Sequence, residues 1–296
     1  MKTLLWLFAL FACAARAEIA LTDDTGAPVR LPAPAARIVS LAPHVTETLF
    51  AAGAGEKIVG AVDYSDFPEA AKKIPRIGGY SRLDLEAIAA MKPDLAIGWA
   101  SGNSPAHIDK LRALGIPVFL VQPHGLDDVA VNLERFGALA GTAELARPAA
   151  AAFRARLDKL RSRYAGRPPV RIFYQVWNQP LMTVGGGQII SDVIKLCGGE
   201  NVFSDLKPLA PKVTVEAVLA ADPEVIVASG MGEARPEWVE HWRKWPTLTA
   251  VRQDNLFFIP PDLIQRPTPR LLEGAARLCE QLETARGKRM QQRGNR

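Results

Sequence analysis

The same pattern of apolar and polar positions occurs twice along the chain. Leu83-Asp84-Leu85-Glu86-Ala87-Ile88-Ala89-Ala90-Met91-Lys92-Pro93-Asp94-Leu95-Ala96-Ile97 matches Val213-Thr214-Val215-Glu216-Ala217-Val218-Leu219-Ala220-Ala221-Asp222-Pro223-Glu224-Val225-Ile226-Val227 at a constant offset of 130 residues. Each copy predicts a short helix, a proline turn and a strand. Asp84 and Thr214 carry side-chain oxygens that can accept a first-turn N–H. Pro93 and Pro223 end the helices, because the residue before a proline avoids the helical region. The runs Leu95–Trp99 and Val225–Ala228 are apolar throughout, as strands covered on both faces are.

A weaker echo sets Glu47-Thr48-Leu49-Phe50-Ala51-Ala52-Gly53 beside Asp192-Val193-Ile194-Lys195-Leu196-Cys197-Gly198. Both read as helices closed by a glycine, the residue suited to a left-handed C-terminal cap. Strands precede them at Arg37-Ile38-Val39-Ser40-Leu41 and Arg171-Ile172-Phe173-Tyr174-Gln175. Strands alternating with helices predict parallel sheets and right-handed crossovers. The fold class is therefore α/β, with two pseudo-symmetric lobes and a ligand cleft outside their strand ends.

Residues 142–165 lack glycine and are rich in Ala, Arg and Leu, with Leu145, Ala149, Phe153, Leu157 and Leu160 at helical spacing. A helix over this stretch would span roughly 35 Å at about 1.5 Å per residue and would join the lobes stiffly. Pro148 is expected in its first turn, and Gly166-Arg167-Pro168-Pro169 ends it. The expected organisation is a signal peptide at 1–17, an N-terminal lobe at 18–141, an interlobe helix at 142–167, and a C-terminal lobe with a basic tail at 168–296.

The signal peptide rests on Lys2, the apolar run at 4–12 and the cleavage pattern Ala15-Arg16-Ala17. That run is well short of the roughly 20 residues of a stable membrane span. Lipid attachment at Cys13 is the second reading, ranked below cleavage before Glu18 because Phe11 is bulky for such a site. Cleavage leaves Cys197 and Cys279, a natural disulfide pair in an oxidising compartment; two buried thiols are the alternative. The 279 residues left after removing 1–17 suffice for two domains. The net charge of +5 lies largely in the central helix and in the tail from Arg286-Gly287-Lys288-Arg289 onward. Basic termini are usually solvated, so this charge is not read as a nucleic-acid signal.

Enzyme motifs are lacking: there is no P-loop, no G-x-S-x-G and no H-E-x-x-H. Gly185-Gly186-Gly187 reads as a turn. Trp99 and Trp177 end strands beside glycine or asparagine, which suits cleft lining, whereas Trp238, Trp242 and Trp245 read as one packed helix face. His44 and His124 lie next to prolines after expected strands. No resident metal is expected, with His44 a minor candidate to reach the metal of a bound corrinoid or haem.

The segments Arg37-Ile38-Val39-Ser40-Leu41-Ala42-Pro43 with Thr46-Glu47, Tyr64-Ser65-Asp66-Phe67-Pro68, Lys92-Pro93-Asp94-Leu95, Cys197-Gly198-Gly199-Glu200-Asn201-Val202-Phe203, Pro269-Arg270 and Leu278-Cys279 resemble the helical-backbone periplasmic binding proteins. The resemblance covers roughly residues 36–285 and is greatest to the family's cobalamin-binding members. It implies a periplasmic, monomeric substrate-binding component of an ABC importer, without enzymatic activity, that carries cobalamin or a related corrinoid. Haem or an iron–siderophore is the alternative cargo, and a cleft enzyme on the same scaffold is a third reading. Position by position, it implies ligand contacts at Tyr64, Tyr80, Trp99, Asn103, Trp177, Asn178, Asp262 and Arg266. Tyr80 stands where cobalamin binders have tryptophan, and Ala210 replaces another cleft tryptophan, which leaves the choice of corrinoid open. Glu86 and Glu216 are implied to dock onto arginines of a permease dimer in the inner membrane, although carboxylates in a first helical turn are also favoured by the helix dipole.

Overall fold

The computed structural model describes residues 18–230 and 236–294. The expected signal peptide and Cys13 lie outside the described residues. The chain opens with an antiparallel hairpin, β1 (Ile19–Thr22) and β2 (Pro28–Leu31), which the sequence pattern did not predict. Asp23 builds its turn: Oδ1 accepts from Thr25 N at 2.8 Å and Ala27 N at 3.0 Å, and Oδ2 accepts from Leu120 N at 3.2 Å.

The N lobe follows with β3 (Ile38–Ser40), α1 (Pro43–Ala51), β4 (Ile58–Ala61), the short strands β5 (Gly78–Gly79) and β6 (Arg82–Leu83), α2 (Leu85–Ala90), β7 (Leu95–Trp99), α3 (Pro105–Ala113), β8 (Val118–Val121) and α4 (Asp127–Ala140). Helix α5 (Ala143–Tyr164) leads to the C lobe: β9 (Val170–Gln175), α6 (Ile189–Leu196), β10 (Gly199–Asn201), α7 (Val215–Ala221), β11 (Val225–Ala228), α8 (Thr249–Arg252), β12 (Leu256–Phe258), α9 (Pro261–Ile264) and α10 (Leu271–Gly294). The two main sheets are parallel, with orders β4-β3-β7-β8 and β10-β9-β11-β12. Each repeat strand, β7 or β11, lies inside its sheet next to the first strand of its lobe, and every residue of Leu95–Ile97 and Val225–Ala228 is buried. The caps predicted for the repeated helices are formed: Asp84 accepts from Ala87 N at 2.9 Å and Thr214 from Ala217 N at 3.2 Å.

Alternation along the strands divides the core in three. Val39 and Ala96 pack outward in the N lobe with Ile88 and Leu111, and Phe173 and Ile226 pack outward in the C lobe with Val218 and Trp242. The opposite faces share one cluster. Ile38, Leu95 and Ile97 join Phe136, Phe153 and Leu157, and that cluster runs on to Ile172, Tyr174, Val225 and Leu278. The lobes are thus joined through apolar contact as well as through the chain. The disulfide Cys197–Cys279 adds a covalent tie between the end of α6 and α10.

Four expectations are corrected. The buried stripe of α5 is Ala146, Ala150, Phe153, Leu157 and Tyr164, while Leu145 is 62% exposed. The cause is the tight α4–α5 turn: a Cβ at Gly137 would lie 2.3 Å from the Cβ of Ala146, so small residues meet there and Leu145 lies over Gly53 instead. Pro148 is the sixth residue of that helix, beyond the first turn. Nor is the basic tail solvated coil, because α10 carries it. Arg286 is 4% exposed and donates to Pro168 O, Cys197 O and Gly198 O at 2.8–2.9 Å. Lys288 caps Gln253 O and Asp254 O, and Arg289 donates to Pro169 O. Cations on carbonyls at element ends are favourable. Finally, the tryptophan segment is a 3₁₀ stretch, Glu237–Lys244, although its packing role holds: Trp242 is buried against Phe173 and donates to Gln175 Oε1 at 2.7 Å.

Candidate functional site

In both lobes the loops at the carboxyl ends of the strands meet at the interlobe seam. From the N lobe come His44 and Glu47 on α1 after β3, residues 64–67 after β4, Trp99 to Asn103 after β7, and His124 after β8. From the C lobe comes the segment 262–270 after β12, and Trp177 and Asn178 follow β9 at the same end of its parallel sheet. Ion pairs cross between them. Arg270 grips Glu47 with two bonds, Nε to Oε1 at 2.8 Å and Nη2 to Oε2 at 2.6 Å, and its guanidinium lies 3.7 Å over the ring of Phe67. Arg266 spans two carboxylates, Asp66 from the N lobe at 2.8 Å and Asp262 from its own loop at 2.9 Å. Elsewhere along the seam, His124 Nδ1 lies 3.0 Å from Gly187 O, which assigns its proton to Nδ1, and Leu126 N donates to Asp192 at 2.9 Å.

The N-lobe side is aromatic. Tyr80 and Trp99 have ring centroids 6.0 Å apart, and His44 meets Trp99 edge-on at 5.5 Å. Tyr64 is 69% exposed and adopts a left-handed backbone, φ 63°. Such a conformation in a bulky residue is strained and persists where the surroundings over-determine it. Here they do: Ser65 Oγ accepts from Thr46 at 3.0 Å, Arg76 donates to Ser65 O at 2.9 Å, and Phe67 lies under Arg270.

Asn103, expected as a ligand contact, serves the backbone of its own lobe in this structure. It is 5% exposed, and both ends of its amide are committed to the lobe itself. Oδ1 accepts from Trp99 N at 2.6 Å, and Nδ2 donates to Leu41 O at 2.8 Å and Tyr80 O at 2.7 Å. It therefore fixes the backbones that present Tyr80 and Trp99.

Burial pushes the His44 imidazole down to about 3, with the charge of Arg266 adding to the effect. The ring is neutral, and its buried Nε2 has no hydrogen-bond partner among the described residues. On the C-lobe side, Trp177 is half-buried and donates to Gln179 O at 2.9 Å, Asn178 is half-buried beside it, and Ala210 is exposed. Glu86 and Glu216 occupy equivalent, exposed positions in the first turns of α2 and α7. The Glu216 carboxyl is held below its ordinary range by hydrogen bonds from its own backbone N–H and from Thr214. No cluster able to hold a metal ion occurs among the described residues.

Residues 38–263 match the model of the periplasmic binding protein family. The chain belongs to that family. Relatives include the vitamin B12-binding protein of Vibrio cholerae, 40% identical over 255 residues that cover 86% of this chain and 91% of that protein. The vitamin B12-binding protein of Yersinia pestis is 38% identical and covers 85% of this chain and 88% of its own length. Among solved structures, periplasmic vitamin B12 binding protein BtuF of Vibrio cholerae superposes with a TM-score of 0.79 at 38% identity, covering 86% of this chain and 98% of that one. A periplasmic heme-binding protein, RhuT from Roseiflexus, shares the fold at a TM-score of 0.72 and 24% identity, over 84% of this chain and 98% of its own.

Within this binding protein the structure adds seam residues to which the sequence assigned no role: Glu47, Asp66, Phe67 and Arg270. The Glu47–Arg270 pair spans 223 residues of sequence. The only local signal was that each belongs to a motif segment, Thr46-Glu47, Tyr64-Ser65-Asp66-Phe67-Pro68 or Pro269-Arg270. The cross-lobe pairing itself had no trace in periodicity.

Proposed function

We propose that this protein is the periplasmic substrate-binding component of an ABC importer and captures cobalamin at the interlobe seam. The observation that carries the reading is the Tyr80–Trp99 ring pair, with His44 against Trp99, in the lobe that Arg266 ties to the Asp262 loop through Asp66, in a chain that is 40% identical to a vitamin B12-binding protein. A corrinoid is a broad apolar disc edged with amides. Aromatic faces remove large areas from water at small entropic cost, on the order of 150–250 Å² per ring. Polar groups at the rim fix orientation. In this reading Tyr64, Tyr80 and Trp99 line one side, Trp177 and Asn178 the other, and Asp262 and Arg266 meet the amide edge. Asn103 acts through the rings it holds.

Delivery follows from Glu86 and Glu216. Two exposed carboxylates at equivalent positions of two lobes match a two-fold permease bearing basic residues, and such charges chiefly steer association. The protein acts as a monomer, and its chemistry is binding without turnover.

Calorimetry with cyanocobalamin, haem and a ferric siderophore tests the cargo. Tight binding of cyanocobalamin, lost in the Tyr80→Ala/Trp177→Ala double variant, is the expected result. Preference for haem or siderophore, or turnover of any of the three, overturns the reading.

A further inference from the structure

We propose that Asp66 sets the charge specificity of the seam, selecting ligands edged with neutral amides over ligands edged with carboxylates. The inference rests on the reading of the Asp262–Arg266 loop as the part of the site that meets the ligand's polar rim.

The two cross-lobe arginines differ in how they are held. Glu47 and Arg270 form a two-bond pair with side chains 3% and 18% exposed, closed over by Phe67. Arg266 is also well covered, at 14%, but each of its terminal nitrogens carries a separate carboxylate: Asp66, 42% exposed, on Nη1, and Asp262, 34% exposed, on Nη2. Two carboxylates on one guanidinium leave a negative surplus at the accessible rim. His44 cannot offset it, since the imidazole beside Arg266 is neutral. Arg270 is already matched by Glu47, with Asp262 and Glu273 also in its field. Arg76 reaches the same loop at Ser65 O but is exposed, where water and salt screen its charge.

A ligand acceptor that takes Arg266 Nη1 competes with Asp66 for it. An amide carbonyl does so without adding charge. A carboxylate brings a third anion to one cation and is repelled by whichever aspartate it does not displace, which is discrimination by an unfavourable contact against the wrong ligand. The loop does not depend on Asp66 for its shape, because Thr46, Arg76 and Arg270 anchor residues 65–67 independently.

The test compares cyanocobalamin with its monocarboxylic derivatives, in which one propionamide is hydrolysed, by calorimetry on wild type, Asp66→Asn and Asp66→Glu. Wild type is expected to prefer the intact amide form. Asp66→Asn should narrow that preference roughly two- to fivefold, as expected when one partly exposed like-charge contact is removed, and Asp66→Glu should retain it. An unchanged or widened ratio in Asp66→Asn, with cyanocobalamin still bound by wild type, overturns the role of Asp66 and leaves the proposed cargo intact. Wild type that binds neither corrinoid overturns the cargo and this inference together. Unchanged thermal midpoints in both variants verify that the fold is not what is being measured.

Discussion

The main sheets of the two lobes share a topology strand for strand, yet the loops they bring to the seam carry different side chains. The N lobe presents rings, Tyr64, Tyr80, Trp99 and the neutral His44, on backbones tied down by Asn103. The C lobe presents Asp262 on α9 and, between α9 and α10, Arg266 and Arg270, which pair with Asp66 and Glu47 of the N lobe. The difference shows what a structural repeat preserves. Helix caps, proline turns and buried strands recur because each lobe must solve the same packing problem, whereas the loops at the strand ends face the partner lobe and are free to diverge.

The largest expected effect separates the two cross-lobe arginines. Arg270→Leu leaves Glu47, 2% exposed, as an uncompensated buried charge and should cost about 3–5 kcal/mol in denaturant unfolding. Arg266→Leu, whose partners are partly exposed, should cost about 1 kcal/mol or less. Equal losses would mean that the seam has no permanent and exchangeable halves.

Asparagines on the two walls give the next contrast. Asn103→Ala strands the buried Leu41 O together with the partly buried Tyr80 O and Trp99 N and should cost about 2–3 kcal/mol. Asn178→Ala, at a half-buried C-lobe position, should stay within about 0.5 kcal/mol. If the two costs match, Asn103 is not the brace of the aromatic wall.

A pH scan gives the smallest effect, again confined to the N-lobe wall. The unfolded chain takes up a proton on His44 near pH 6.5, which the folded protein refuses until about 3. The stability is therefore intact above about pH 6.5 and declines as the pH falls toward 3, by about 2 kcal/mol at pH 5 from this residue. His44→Gln should flatten that decline. In the C lobe, burial pushes the Tyr174 phenol upward, away from this range. A slope unchanged in His44→Gln would show that His44 is not buried as neutral imidazole.

What the sequence reveals follows the same division. The repeated helices and strands, the glycine caps at Gly53 and Gly198, with φ 76° and 66°, and the pairing of Cys197 with Cys279 rest on local pattern or simple counting, and all are legible. Trp99 is legible as a strand-end ring beside Gly102 and Asn103, whereas its pairing with Tyr80 has no periodic mark. The Glu47–Arg270 pair is not legible, since charge complementarity across more than two hundred residues leaves no periodic mark. Asn103 reads as a ligand contact because an asparagine beside a tryptophan looks the same in sequence whether its amide serves a ligand or the backbone. The tail misleads for a related reason: composition reports the charge of Arg286 and Lys288 but not the carbonyls they cap.

The apolar cluster that runs through both lobes by way of α4 and α5 also bears on the kinetics of capture. Swinging the lobes apart would tear a packed core, so the seam has no inexpensive wide-open form to close from. A receptor organised before its ligand arrives loses little conformational entropy on loading. Uptake is then expected to proceed at close to the rate of productive encounter, and differences in affinity among cargoes should appear mainly in how long each one stays.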